Sequence, residues 1–487
     1  MANGKDKMVI RKLVLYGAGK RCKKICKLLK SCSNMEIVAI LDTDSSKWGM
    51  KIGRYRISPP ERIENFPDAD ICIAVADENI ADEIRGALQQ VWNYDMKNEV
   101  HYNELCLEAL KANEEIKQYI YKNVKTNNYE KESILFVSYN GFSLGGIQAW
   151  TKDICEALIK DGKENIYVVA TRDEYEVPPL LQNCMLYIDE QEIFSVDSIL
   201  NVIDTIIDKM PCKVVTTQPD NTMLAPYLIK CCYPEMIKII TTIRGASKDI
   251  YKAYMDYKEI PDAFIGVSQD IMKDLIQMGI EPKKVYSMCV PFECEETLTR
   301  EYTENVSFPI HVGYAGRMEY SQKRMDLLIK LVQVLVAREI CFVMDIAGDG
   351  VARQELADFI ASNHLEKKVR LLGEIDRQEI PSFWKKQDVC VNVADYEGRC
   401  HSIIEAMGNG AVPVVTATSG VREDITDGEN GYIVPIGDYR AMAERIEYLA
   451  NHRERLSLMG KLAHDVVYPK SRIESHLEFW KNILSRH

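Results

Sequence analysis

Glu397 and Glu405 stand eight positions apart in "EGRCHSIIEAMGNGAVPVV", residues 397–415, with His401 and Ser402 between them and Gly408 and Gly410 behind. The apolar run "VCVNVADY" before them reads as a strand that delivers Glu397 at its carboxyl end. A short helix follows, starting near Ser402 and closed by glycine. A helix start offers unpaired backbone N–H groups and about half a positive charge, which suits a phosphate. A ligand docked there would set its sugar groups between the two acids. Glu405 could accept hydrogen bonds from a ribose diol, and Glu397 could face a group being transferred. Ser402 and Glu405 also fit a Ser-x-x-Glu capping box, in which the glutamate only reaches back to a backbone N–H. Local spacing leaves both readings open.

About eighty residues earlier, "GYAGRMEYSQKRMDLL" places Arg317 and Lys323 on the loop after a strand and at the start of a helix. Singly, each reads as a surface cation. Together with the glutamates they suit a diphosphate whose charge must be neutralised as a bond to it breaks.

These side chains need a scaffold of strands ending at one place. The 487 residues exceed one ordinary core. Strand, glycine turn and helix alternate three times, starting at "KLVLYGAGKRCKKICKLL", "ESILFVSYNGFSLGGIQAW" and "IHVGYAGRMEYSQKRMDLL". The pattern predicts α/β architecture with parallel sheets, in which ligands bind beyond the carboxyl ends of the strands. We divide the chain into a Rossmann-like unit at 1–100, a helical linker at 101–132 and two sheet domains at 133–300 and 301–487. The last helix is a candidate to cross back onto the preceding domain.

Hydrophobic residues at 46% and charged residues at 28% are ordinary for a folded globular chain. A net charge of -12 speaks against nucleic acid as a partner. Residues 1–30 depart from that balance, with ten Lys or Arg against Asp6, and read either as a solvated face or as a contact for anionic lipid. Fifteen cysteines without a Cys-x-x-Cys pair favour reduced thiols and a cytoplasmic setting. No apolar stretch reaches the ~18 residues of a membrane span, so attachment to the inner face of the membrane would be peripheral.

In order and spacing, these motifs resemble the GT-B glycosyltransferases of family 4. The matching stretches are Glu397 to Glu405, the Arg317/Lys323 segment, "IAGDG", "LLGEI", "SGVREDITDGENGYIVPIGD", "SLGGIQAW" and "DAFIGVSQDIMKDLIQMG". The resemblance spans residues 133–487 and implies two Rossmann-like domains facing across a cleft. It implies a retaining, metal-independent transfer from a nucleoside-diphosphate-sugar, UDP- or GDP-linked, to a glycan or lipid-linked sugar acceptor in cell-surface biosynthesis. By the same resemblance Arg317 and Lys323 hold the diphosphate, Glu405 the ribose, and Glu397 sits beside the donor sugar. His401 and Ser402 join the donor contacts, backbone near Glu374 meets the base, and the Gly145–Gly146 loop approaches phosphates or acceptor. Arg399, Arg244 and the stretch around Pro291 depart from the family pattern at positions expected to face sugar and acceptor.

Gly17, Gly19 and Cys22 make a partial dinucleotide fingerprint, and Asp42, 25 residues after Gly17, is spaced to meet a ribose. The stretch resembles the small Rossmann-like domains that precede some sugar acetyltransferases and capsule-biosynthesis dehydratases, implying a nucleotide pocket without chemistry. Asp42 and Asp44 form an Asp-x-Asp, a manganese signature in other glycosyltransferases; at a strand end in this unit it is discounted. Two other functions stay open: a nicotinamide-dependent nucleotide-sugar oxidoreductase or epimerase centred on this unit, and a non-catalytic nucleotide-sugar-binding scaffold. The sequence carries no signal for oligomeric state.

Overall fold

The computed structural model describes residues 10–92, 94–124, 131–142, 146–172, 175–189 and 192–487. Three sheets organise them. The first runs Lys51–Ile52, Tyr55–Ser58, Met35–Leu41, Arg11–Tyr16, Asp70–Ile73, parallel except for its short outer pair. The second has seven parallel strands: Val285–Ser287, Ala263–Gly266, Ile237–Ile243, Cys212–Thr216, Ser133–Val137, Ile166–Thr171 and Met185–Ile188. The third has six: Val369–Gly373, Phe342–Ala347, Ile310–Ala315, Val389–Asn392, Val412–Thr416 and Tyr432–Val434.

Helices cover both faces of such sheets, so central strands are apolar on both sides. Ser133–Val137 and Val412–Thr416 are buried at every position. The expected parallel α/β architecture is therefore present. The edge strands Met185–Ile188, Val285–Ser287 and Tyr432–Val434 have only four, three and three residues, too few to leave a readable pattern.

The segment read as a helical linker is two packed helices, Tyr102–Ala112 and Glu114–Asn123. Asn113 caps the second, accepting from the Ile116 N–H at 3.1 Å. Leu105, Leu110, Ile116 and Ile120 are buried in a core shared by the first and second sheets. Lys252 reaches Glu78 at 2.7 Å between the same two units. The final helix, Ile473–Arg486, packs on Gly146–Lys160, setting the Trp480 ring 5.5 Å from that of Trp150 and 5.7 Å from that of Phe136. Third-unit sequence thus ends on second-unit core, which fixes how the two sheets face each other. All fifteen cysteines are free. Among the described residues no helix is long and apolar enough to cross a membrane.

Candidate functional site

The central strand Ile310–Ala315 ends in a loop that must carry Arg317 and Lys323 to the cleft before the helix Met325–Ala337 begins. The "IAGDG" turn lies directly beneath it. A Cβ on Gly348, at φ +125°, would sit 2.0 Å from the Gly316 carbonyl oxygen, so only glycine allows the approach. The Met318 N–H donates to the Asp349 carbonyl at 2.7 Å. At the far end Arg324 adopts φ +52°, unusual for a residue with a side chain. Its guanidinium holds that turn, donating twice to Asp395 at 2.8 Å and to Asp326 at 2.9 and 3.0 Å.

Pinned this way, the loop aims Lys323 at Glu397. The ammonium ion-pairs with Oε1, and Gln322 Nε2 donates to Oε2 at 3.3 Å and to the Tyr396 carbonyl at 3.1 Å. Arg317 joins through Gln322, donating to its amide oxygen at 3.0 Å, and keeps a side chain 72% exposed toward solvent. Burial opposes the charge on Lys323, and Cys400 together with the Glu397 carboxylate more than offsets it, leaving the amine above its ordinary range.

The helix carrying Glu405 runs His401–Gly408 with Cys400 as its N-cap. No side chain caps it, so the Ser402–Glu405 capping box is not formed. Ser402 lies inside the helix, and its hydroxyl sits 3.2 Å from the Cys400 sulfur. Among the described residues the N–H groups of His401 and Ser402 make no hydrogen bond, and neither does the Glu405 carboxylate. Burial raises Glu405 to about 7, against the opposing field of Arg377. Burial, with Arg244 and Arg377 adding to it, lowers His401 to about 3, so this imidazole is neutral at physiological pH.

The second sheet's unit closes the other side. A Cβ on Gly398 would lie 2.2 Å from the Arg244 carbonyl oxygen, and one on Gly146 would lie 3.5 Å from the His401 ring. Arg377 ion-pairs with Asp153 across the same gap. The structure thus brings Arg317, Lys323, Glu397, His401, Ser402, Glu405 and Gly146 to one cleft. Gly145 lies outside the described residues, and Glu374 is exposed on the turn after Val369–Gly373. Sequence reasoning missed Gln322 and Arg377. The first adjoins Lys323 in "SQKRM", and the second follows Glu374 by three positions in "GEIDR".

The glycine turn of the first sheet differs from expectation. Asp42 is 5% exposed and its oxygens are engaged: Ala18 N–H donates at 2.7 Å, Asp44 N–H at 2.9 Å, and Lys47 lies at 3.2 Å. The carboxylate spaced for a ribose instead fastens the Gly17–Gly19 turn to the next strand. Asp44 accepts from the Ser46 N–H at 3.0 Å and pairs with Lys47 at 3.5 Å. Among the described residues no group of three or more His, Cys, Asp or Glu is arranged to hold a metal.

Comparison with known proteins bears on this geometry. Residues 300–465, which contain both glutamates and both cations, match the model of glycosyl transferases group 1. The matched stretch is the third sheet's unit, about a third of this chain. Residues 9–100 match the C2185-like N-terminal model. A poly(ribitol-phosphate) alpha-N-acetylglucosaminyltransferase of Staphylococcus aureus (strain COL) is 29% identical over 175 residues, 36% of this chain and 35% of that protein. An N-acetyl-alpha-D-glucosaminyl L-malate synthase of Bacillus anthracis is 24% identical over 277 residues, 53% of this chain and 71% of that protein. The chain thus spans about a third of the first relative's length. The crystal structure of Anabaena Alr3699/HepE in complex with UDP-glucose superposes with a TM-score of 0.61 at 16% identity, covering 73% of this chain and all of that one. The fold is GT-B, two Rossmann-like domains facing each other, with a further sheet in front.

Within the matched stretch, Arg399 is placed differently from expectation. It does not face the cleft; it is buried and donates to Asp424 at 2.9 and 2.6 Å, with Lys470 on the same carboxylate at 2.9 Å. The pair ties the Glu397–Gly398 turn to the loop after Val412–Thr416. Arg244 does border the cleft, as its contact with Gly398 requires.

Proposed function

We propose that the chain is a retaining, metal-independent glycosyltransferase that moves a sugar from a nucleoside-diphosphate-sugar to a hydroxyl acceptor in cell-surface polysaccharide or glycolipid biosynthesis. One observation carries the reading. The uncapped helix start at His401 lies between Glu397 and the unpartnered Glu405, with Lys323 held against Glu397 by a pinned loop. A diphosphate there receives the His401 and Ser402 N–H groups, Lys323 and Arg317, and its ribose hydroxyls donate to Glu405. The bond from the sugar C1 to the diphosphate oxygen breaks as the acceptor oxygen bonds to C1 on the same face. The acceptor proton passes to the departing phosphate, whose charge the two cations and the helix start stabilise. The printed names of both relatives give alpha-linked N-acetylglucosaminyl products, which favours UDP-N-acetylglucosamine, itself alpha-linked, with retention. In the test, the full chain hydrolyses UDP-N-acetylglucosamine slowly without acceptor, and Glu405→Ala does so at least about tenfold more slowly, the worth of one lost charge-assisted hydrogen bond. Equal rates in the two folded proteins overturn the proposal.

Donor binding is expected to depend on pH through Glu405. Its carboxyl titrates near 7, and only the ionised form accepts from both ribose hydroxyls. UDP affinity should therefore weaken as pH falls below 7, approaching about tenfold per unit. Calorimetry between pH 8 and 5.5 checks this, with Glu405→Gln subtracting the titration of UDP itself.

The oxidoreductase alternative loses its ribose acceptor, since Asp42 is occupied by Ala18, Asp44 and Lys47. Peripheral membrane contact has support in the helix Lys20–Leu28 and the turn after it. Lys20, Lys23, Lys27 and Lys30 are exposed at helical spacing, and no ion pair is formed by them among the described residues. Changing all four to Gln should weaken sedimentation with phosphatidylglycerol vesicles by about 10²–10³-fold, at about 1 kcal/mol per lysine. Unchanged sedimentation assigns them to a merely solvated face.

A further inference from the structure

Arg244 follows the strand Ile237–Ile243 and enters the cleft from the lobe opposite Lys323. Its guanidinium carbon lies 3.9 Å over the Trp150 ring, and that tryptophan is 3% exposed in the helix Gly146–Lys160. Nε is fully buried with no hydrogen-bond partner, and no nitrogen of Arg244 makes a hydrogen bond or ion pair among the described residues. The enclosed guanidiniums of Arg300, Arg399 and Arg453 face acids instead. Arg300 meets Asp388 at 2.7 Å, Arg399 meets Asp424 at 2.6 Å, and Arg453 lies 3.5 Å from Asp388. Arg244 has only an aromatic face, and burial pulls it down to about 9.

A desolvated cation without a counter-charge is costly unless a ligand brings one. The donor diphosphate already has Arg317, Lys323 and the helix start on the third sheet's unit. Arg244 stands on the other unit, with its backbone against Gly398, next to the acid proposed to sit beside the transferred sugar.

We propose that Arg244 is an anion subsite for the acceptor, which carries a carboxylate or a phosphate close to its nucleophilic hydroxyl. The inference rests on the glycosyltransferase reading and adds the acceptor's chemical class to it. Arg244, seated on the Trp150 face, holds the acceptor's anionic group, which is untouched in the reaction. The acceptor oxygen forms the bond to C1, the C1–diphosphate bond breaks, and the hydroxyl proton leaves with the phosphate.

The test uses the full chain saturated with UDP and titrated with two anions, glycolate and glycerol 3-phosphate, beside their neutral counterparts ethylene glycol and glycerol. At least one anion is expected to bind more tightly than its neutral counterpart, glycolate marking a carboxylate site and glycerol 3-phosphate a phosphate site. Arg244→Gln should weaken that anion by about 10-fold to 100-fold, the worth of a hydrogen bond to a charged group. Arg244→Lys should restore part of it. UDP affinity should stay within about threefold of wild type in both variants. Unliganded Arg244→Gln should melt no lower than wild type, because it sheds an unpaired, partly buried charge; a purely structural stacking role predicts a lower melting temperature. The proposal is overturned if neither anion outbinds its neutral counterpart, if Arg244→Gln binds both as wild type does, or if that variant loses UDP affinity by about tenfold, which would assign Arg244 to the donor. Wild-type UDP binding in those outcomes leaves the glycosyltransferase reading standing. Failure of the wild-type chain to bind UDP sinks both.

Discussion

Lys323→Ala is expected to lower kcat for sugar transfer by about 10²–10³-fold, the usual consequence of removing one preorganised charge from a developing oxyanion. Two features make this residue the most sensitive. Its ammonium is deeply placed, with a side chain 13% exposed, so its field on a nearby phosphate is little screened by water. It is also held before substrate arrives, by Glu397 and by the Arg324 clamp on Asp395 and Asp326. The cation therefore needs no reorganisation as charge moves onto the diphosphate. Ground-state binding should suffer less, since Arg317 and the helix start still face the phosphates. The expected signature is a kcat loss larger than the loss in UDP affinity, read from single-turnover transfer beside calorimetry. Equal losses in both would make Lys323 a uniform binding group.

Asp424→Ala is expected to destabilise the chain by about 3–5 kcal/mol, the cost of stripping one partner from a buried ion pair. Arg399 is 8% exposed and Asp424 4%, joined by two hydrogen bonds, and Lys470 shares the same carboxylate. Removing the acid leaves two cations facing each other. The loss should appear in urea unfolding as an earlier transition. Arg399→Met with Asp424→Leu should recover most of it, because the buried Arg399 charge goes with its partner and Lys470, with a side chain 41% exposed, can turn to water. Activity should fall with Asp424→Ala even where the chain stays folded, since the pair anchors the turn that carries Glu397. A single substitution without effect on stability would mean that water reaches Arg399 and satisfies it.

The outcome for individual residues shows what a linear sequence can carry. Glu397, Lys323 and Glu405 were readable because each sits at a strand end or a helix start, and local pattern fixes those places. The parallel sheets were readable because their central strands are buried on both faces. Contacts between distant segments were not. Ser402 and Glu405 have capping-box spacing, yet the N-cap is Cys400, two residues earlier, where the turn at Gly398 passes under the Arg244 carbonyl. Asp42 has the spacing of a ribose-binding acid, and whether its oxygens are available depends on Ala18 and Lys47. Arg399 reads as a cleft residue from its position beside Gly398, and Asp424, 25 residues on, turns it inward. Arg377 takes its place from Asp153 on the other lobe, a partner 224 positions away.

The most direct measurement is a crystal structure of the full chain with UDP. The expected density places the diphosphate about 3 Å from Lys323, Arg317 and the His401 and Ser402 N–H groups, with the ribose hydroxyls on Glu405. Nucleotide bound instead at the Gly17 turn, or Glu405 and Lys323 left without contact to it, would contradict the proposed donor site.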